Sequence, residues 1–158
     1  MTSPSQERLQ HALDAAYRFL GRRDRTMAEV RERLEADEID ADVIEETIDE
    51  LTRQGYLDDA RYAHRFAEDR RTIDAWGAER IERRLLAVGV EPALIAAALG
   101  ERGAAEELEA ALVVLRRRFP RAPAGDRDRE RALGILVRKG YDLELAYDAI
   151  RAYERDAA

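Results

Sequence analysis

The stretch Leu34-Glu-Ala-Asp-Glu-Ile39-Asp-Ala-Asp-Val43-Ile-Glu-Glu-Thr-Ile48 decides the fold, because its apolar pattern occurs three times. Leu34, Leu85 and Leu136 stand 51 residues apart, as do Ile39, Val90 and Tyr141. Val43, Leu94 and Leu145 keep the same interval, and so do Ile48, Leu99 and Ile150. Gly89 and Gly140 fall on this frame, with Glu38 in the first copy. A fixed period of this size marks supersecondary units that cannot bury their apolar faces alone and stack to do so. Such arrays present surfaces more often than they enclose pockets.

Working outward from the frame, the signals are helical. Leu9, Ala12, Leu13, Ala16 and Leu20 recur at helical spacing over Glu7–Leu20. Thr26-Met-Ala-Glu29 reads as a capping box opening the next helix, and Asp40 as the cap of a third that ends at Gly55. A second set begins at Asp58 or Asp59, breaks at Trp76-Gly77, ends a helix at Gly89 and starts another with Pro92 at its first position. A third runs over Ala104–Phe119 and Asp126–Lys139, with Asp142 capping the last helix and Pro120–Gly125 as the loop between the first two. No alternating strand pattern of useful length is present. The expected fold is all-α, three tandem three-helix repeats of about 51 residues forming an elongated, curved array. The expected divisions are a disordered tail over 1–6 and repeats over 7–57, 58–103 and 104–156.

Composition narrows the function. The chain has 158 residues, 39% of them charged, with 26 arginines and one lysine, Lys139. It lacks cysteine, so no disulfide framework or thiolate site is expected. Residues 1–20 lack the apolar core of a signal peptide, and no apolar run approaches membrane-spanning length. A cytoplasmic protein without a membrane association is expected. The net charge of −7 is distributed as −8 over residues 1–60, −2 over 61–110 and +3 over 111–158, with +6 between Arg116 and Lys139 alone. An acidic total argues against strong autonomous nucleic-acid binding, which needs a cationic face. Charge runs are commonly solvated faces, and the basic third is open to that reading as well.

The chemistry-bearing residue types do not converge. His11 and His64 lie far apart, no metal-ligand spacing is present, and the only serines are Ser3 and Ser5. No phosphate-cradling glycine loop occurs. The reading is therefore of a non-enzyme with no cofactor and no metal. Residues 26–57 admit comparison with a DNA-binding helix-turn-helix, but its second helix would carry Asp42, Glu45, Glu46, Asp49 and Glu50 and no base, which phosphate would repel. Trp76 beside Gly77, with Arg70, Arg71, Arg80, Arg83 and Arg84 nearby, is the best candidate for an exposed anchor, since Trp and Arg dominate interface hot spots. The alternative is that Trp76 fills a gap between helices.

Four segments carry a family resemblance. Tyr17-Arg-Phe-Leu20-Gly-Arg22-Arg23-Asp24-Arg25-Thr26-x-x-Glu29-Val30-x-x-x-Leu34 resembles the opening signature of the RecX regulatory proteins. Gly55-Tyr56-Leu57-Asp58-Asp59-x-Arg61-Tyr62-Ala63 resembles their second signature, Gly77-x-x-Arg80-Ile81-x-x-x-Leu85-x-x-x-Gly89-Val90 their third, and Arg138-Lys139-Gly140-Tyr141 their C-terminal segment. The resemblance runs from about residue 8 to residue 153. It implies a non-enzymatic modulator of the RecA recombinase that lodges in the groove of the RecA–single-stranded-DNA filament and inhibits ATP hydrolysis and strand exchange. A monomer touching successive protomers would gain from avidity. The implied partner-binding residues are Arg22, Arg23, Arg25, Asp58, Arg61, Arg70, Trp76, Arg80 and Arg84. Arg116, Arg117, Arg118, Arg129, Arg131, Arg138 and Lys139 are the candidates for a weak single-stranded-DNA contact. The acidic first third departs from the more basic members of the family and favours contact through protein. A helical-repeat scaffold for another partner and a DNA-binding helix-turn-helix module remain the alternatives.

Overall fold

The computed structural model describes residues 1–158 and contains helices only. In chain order they are α1 (Pro4–Leu20), α2 (Met27–Ala36), α3 (Ala41–Arg53), α4 (Asp59–Asp74), α5 (Ala78–Ala87), α6 (Pro92–Leu99), α7 (Ala104–Arg118), α8 (Gly125–Lys139) and α9 (Leu143–Asp156). Every break expected from the sequence is present.

The 51-residue frame has a local cause. At each recurrence the helix closes with the same turn. The amides of Ile39, Val90 and Tyr141 donate to the carbonyls of Leu34, Leu85 and Leu136 at 3.0–3.1 Å. Those of Glu38, Gly89 and Gly140 donate to the carbonyls of Glu35, Leu86 and Val137 at 3.0 Å. The residue carrying the second bond lies in the left-handed region, with φ of 60° at Glu38, 82° at Gly89 and 100° at Gly140. This is the six-to-one closure that satisfies the orphan carbonyls of a helix end. The apolar residue after the turn then points inward, and Val90 and Tyr141 are buried.

The chain divides into two compact units. The first comprises Met1–Ala63 and Leu85–Ile95. Its core is Leu13, Ala16, Val30, Leu34, Ile44, Ile48, Leu51 and Leu57, contributed by α1, α2, α3 and the turn after α3. Here α1 begins at Pro4, earlier than the apolar spacing suggests. Ser3 caps it, accepting from the Gln6 amide while Gln6 accepts from the Ser3 amide, and Pro4 fills the first position at no hydrogen-bond penalty. The serines expected in a disordered tail therefore form a helix start. Thr26 and Glu29 form the expected capping box on α2. Asp40 stands at the start of α3 but makes no capping hydrogen bond.

The second unit comprises His64–Arg84 and Ala96–Ala158. Leu112, Leu115, Phe119, Ala132, Ile135, Leu136, Tyr141, Ala146, Ala149 and Ile150 form its core between α7, α8 and α9. Asp142 caps α9 through the Leu145 amide, as expected. The loop between α7 and α8 closes where α8 begins, at Gly125.

Each unit contains one copy of a joint between helices distant in sequence. In the first, the start of α2 docks on the closing turn of α5. The Thr26 hydroxyl donates to the Val88 carbonyl at 2.6 Å, and a Cβ on Gly89 would overlap that of Ala28. In the second, the start of α5 docks on the closing turn of α8. The Gly77 amide donates to the Lys139 carbonyl at 2.8 Å, and the Glu79 amide to that of Gly140 at 2.9 Å. Residues 26 and 77 are 51 apart, and so are 88 and 139, so both joints obey the sequence frame.

Each joint also buries one acid. The first helical amide of α2, at Met27, donates to the Asp59 carboxylate at 2.9 Å. That of α5, at Ala78, donates to the Glu107 carboxylate at 2.9 Å. Asp59 and Glu107 are the only buried charged residues in the molecule. A carboxylate at a helix N-terminus meets orphan amides and the positive end of the helix dipole, which offsets part of its desolvation.

Candidate partner-binding surface

The candidate residues of the first unit surround the start of α2 and the turn before α4. Arg22 is exposed. Arg23 donates to Glu29 at 2.6 Å, and Arg25 lies over the Phe19 ring at 4.0 Å and 3.8 Å from the same carboxylate. Glu29 thus closes the capping box and gathers two arginines. Burial alone would push its pKa up, but the bonds from Arg23 and the Thr26 amide outweigh burial and hold it below the ordinary glutamate value. Burial lowers the Arg25 pKa, helped by the charge of Arg23, and its Nε is buried with no hydrogen-bond partner. Asp58 accepts from the Arg61 amide at 3.0 Å, and the Arg61 guanidinium donates to the Gly55 carbonyl at 2.7 Å. Asp58 and Arg61 therefore lock the turn into α4.

The second unit gathers the rest at the bend between α4 and α5. Trp76 is half-buried, neither fully exposed nor a closed plug. Its ring meets Phe66 edge-on at a centroid separation of 6.1 Å. Arg80 stands over it at 4.1 Å and Arg70 at 5.8 Å. Guanidiniums over an indole face are attracted by its quadrupole. Arg70 is also paired with Asp74. Arg80 reaches the Arg138 carbonyl at 3.1 Å, and the Lys139 ammonium reaches the Asp74 carbonyl at 2.7 Å. Ile73, 69% exposed, lies on the last turn of α4. Arg84 is exposed on α5.

Beside this cluster lies a largely buried polar layer, in which Arg71 and Tyr141 are joined by Arg102 and Glu107, two residues that no sequence motif marks. Arg102 pairs with Glu107 at 2.6 Å, with side-chain exposures of 15% and 11%. Arg71 donates to the Leu99 carbonyl at 3.0 Å and so satisfies the end of α6. Desolvation lowers the Arg71 pKa, and the neighbouring charge of Arg102 adds to this. The Tyr141 hydroxyl donates to the Ala75 carbonyl at 2.9 Å. One signal existed for Glu107: it shares a helical stripe with Ala111 and Leu115, both fully buried.

The basic run 116–139 does not form one patch. Arg116 is bound by Glu109 and Asp156, and Arg129 by Glu154 at 2.6 Å and by Asp126. Arg131 lies over Phe119 at 5.1 Å. Arg117, Arg118 and Arg131 are exposed near the α7–α8 loop. Arg138 and Lys139 sit at the opposite end of α8, roughly 10 Å along the axis from Arg131 at 1.5 Å per residue, where they join the Trp76 cluster.

His11 lies on α1, while His64 faces Glu101 at 3.2 Å. No group of three or more histidine, aspartate or glutamate side chains has the arrangement of a metal site. No helix is long and apolar enough to cross a membrane.

Comparison with known proteins places this arrangement. Residues 12–51 match the family described as "RecX, first three-helix domain", and residues 58–99 match "RecX, second three-helix domain". The regulatory protein RecX of Trichlorobacter lovleyi is 36% identical over 136 residues, covering 83% of this chain and 88% of that protein. That of Lacticaseibacillus paracasei is 32% identical over 134 residues, covering 82% of this chain; the chain spans 55% of that longer relative. The crystal structure of RecX from Lactobacillus salivarius superimposes with a TM-score of 0.82 over 94% of this chain and 98% of that one, at 20% identity, a likeness of fold. Two three-helix domains matched in order along the sequence, together with a relative 36% identical over 83% of the chain, place this chain in the RecX family of regulatory proteins.

Proposed function

We propose that this chain is a non-enzymatic regulator that binds the RecA–single-stranded-DNA filament and inhibits its ATP hydrolysis and strand exchange. It acts in the cytoplasm as a monomer and needs no cofactor. Membership of the RecX family supports the reading, and the observation that carries it is the Arg70–Trp76–Arg80 cluster. A half-buried indole under two guanidiniums, with Ile73 exposed beside it, has the composition of an interface hot spot. Arg84 lies on α5 beyond it, and Arg22, Arg23 and Arg25 form a second cationic group at the start of α2. Binding alters the filament only to the extent that one filament state is bound more tightly than another.

The test is RecA on single-stranded DNA with ATP. Saturating protein should lower steady-state hydrolysis and shorten filaments; unchanged hydrolysis and length overturn the proposal. Arg117, Arg118 and Arg131 supply a weak contact to the DNA backbone. Charge reversal there should reduce the salt dependence of filament binding, since each phosphate neutralised releases counterions.

A further inference from the structure

The joint described above has two halves, and one of each is left over. The receiving half is a helix-closing turn with a free carbonyl followed by a residue in the left-handed region. Val88-Gly89 receives α2, and Lys139-Gly140 receives α5. Asp37-Glu38 is the third such turn, on the same frame. The presenting half is a helix start seven residues before the frame leucine: Met27 before Leu34, and Ala78 before Leu85. The third presenting position is Arg129, before Leu136.

Neither leftover half is fit to combine. The occupied turns have glycine where the incoming helix arrives; a Cβ would overlap Ala28 at Gly89 and Arg80 at Gly140. Glu38 carries a side chain at that point. At the other end α8 begins at Gly125, so Arg129 stands a full turn inside the helix and residues 125–128 project ahead of it. Charge adds to this. The groove beside Glu38, of about 480 Å³, is lined by Glu7, Asp37, Glu38 and Asp40 against Arg8 and His11. The first turn of α8 carries Asp126 and Asp128. Like charges brought together at a contact act against it.

We infer that Glu38 and the additional first turn of α8 disable the joint between molecules, so that a second copy of this chain cannot add head to tail. A heterologous joint, with its two different halves left open at opposite ends of the molecule, generates filaments when the rotation does not close. The inference is independent of the proposed RecA binding.

The test combines Glu38→Gly with deletion of Gly125–Asp128, which restores a glycine to the receiving turn and places Arg129 at the helix start. At about 1 mM the wild-type chain should sediment as a monomer of 18.0 kDa, with amide shifts independent of concentration. The double variant should gain mass with concentration and shift at Asp37–Ile39. A folded double variant that stays monomeric, or a wild type that associates through residues 37–40, overturns the inference. Should the deletion unfold the chain, Gly89→Glu decides. It places the Glu38 side chain in the occupied joint and should speed exchange of the Met27 and Ala28 amides at least about tenfold. Unchanged exchange would show that a side chain there does not exclude a docked helix, and would equally overturn the inference.

Discussion

Gly77 and Gly140 meet backbone to backbone: a Cβ on Gly77 would lie 2.5 Å from the Gly140 carbonyl carbon. The Gly77 amide bonds beside that contact to the Lys139 carbonyl, and Glu79 bonds to Gly140 itself. No side chain can yield to relieve such an overlap, because the atoms opposed are main chain.

Gly77→Ala should therefore destabilise the protein by about 2–3 kcal/mol through overpacking. Gly140→Ala adds a left-handed φ of 100° to an overlap with Arg80 and should cost about 3–4 kcal/mol. Gly55→Ala is the control. Its φ is 82° but nothing lies within 4 Å of the new Cβ, so only the backbone penalty of about 1 kcal/mol is expected. Denaturant unfolding of the three variants checks the order.

Glu38→Gly should act in the opposite direction. Glu38 holds φ of 60° where glycine is at ease, and the exposed side chain forms no ion pair to compensate. A gain of about 0.5–1 kcal/mol is expected in the same measurement.

Glu29 and Asp59 should give opposite pH dependences. The folded pKa of Glu29 lies below its ordinary 4.5, so its contribution is present above pH 4.5 and is lost as pH falls through the folded value. Glu29→Gln keeps an acceptor for the Thr26 amide, lacks the charge, and should show a smaller fall in Tm between neutral pH and acid. The folded pKa of Asp59 lies above its ordinary 3.8. Burial is the main cause, Asp58 and Glu91 add to it, and the Met27 amide only partly offsets it. Its charge therefore subtracts from stability as pH rises from 3.8 through the folded value. Asp59→Asn should raise stability modestly at pH 7 and give no gain at pH 3. Asp59→Ala, which leaves the Met27 amide unpaired, should lose about 1–2 kcal/mol at both.

Arg22→Ala combined with Arg84→Ala removes two exposed arginines that form no ion pair in the folded chain. Tm should be unchanged while inhibition of the RecA filament weakens. Trp76→Ala should reduce both, because Trp76 is packed on Phe66 and under Arg80 as well as partly exposed. Thermal melts beside the ATPase assay separate the two effects. Unaltered inhibition by the arginine pair would remove them from the interface.

The helices are legible in the sequence where they carry their own start or stop. Thr26, Pro92, Asp142, Gly55, Gly89 and Gly140 act within a turn of where they stand. The start of α1 was missed because Ser3, Pro4 and Gln6 precede the apolar stripe that locates a helix. The joints were not legible. Their bonds link residues 29 to 62 apart, from Ala78 to Glu107 and from Thr26 to Val88, and no local pattern encodes such a distance. Asp59 opens α4 as its position in the sequence suggests, but its carboxylate serves another helix, α2. At the candidate surface, two of the arginines that the sequence sets around Trp76, Arg70 and Arg80, lie over its ring. Sequence could not tell that Arg116 and Arg129 are neutralised by acids, or that Lys139 belongs with Trp76 and not with Arg117.

The tether from Lys139 to Asp74 has a chemical corollary. Among 27 cationic side chains this is the sole primary amine, and it is already spoken for by a main-chain oxygen at the bend that holds Trp76. Acylating reagents thus find one side-chain target. Modifying it would remove the bond to the Asp74 carbonyl at the end of α4, so a label on this amine, told apart from one on the α-amino group, would report on, and also loosen, the corner beneath the indole.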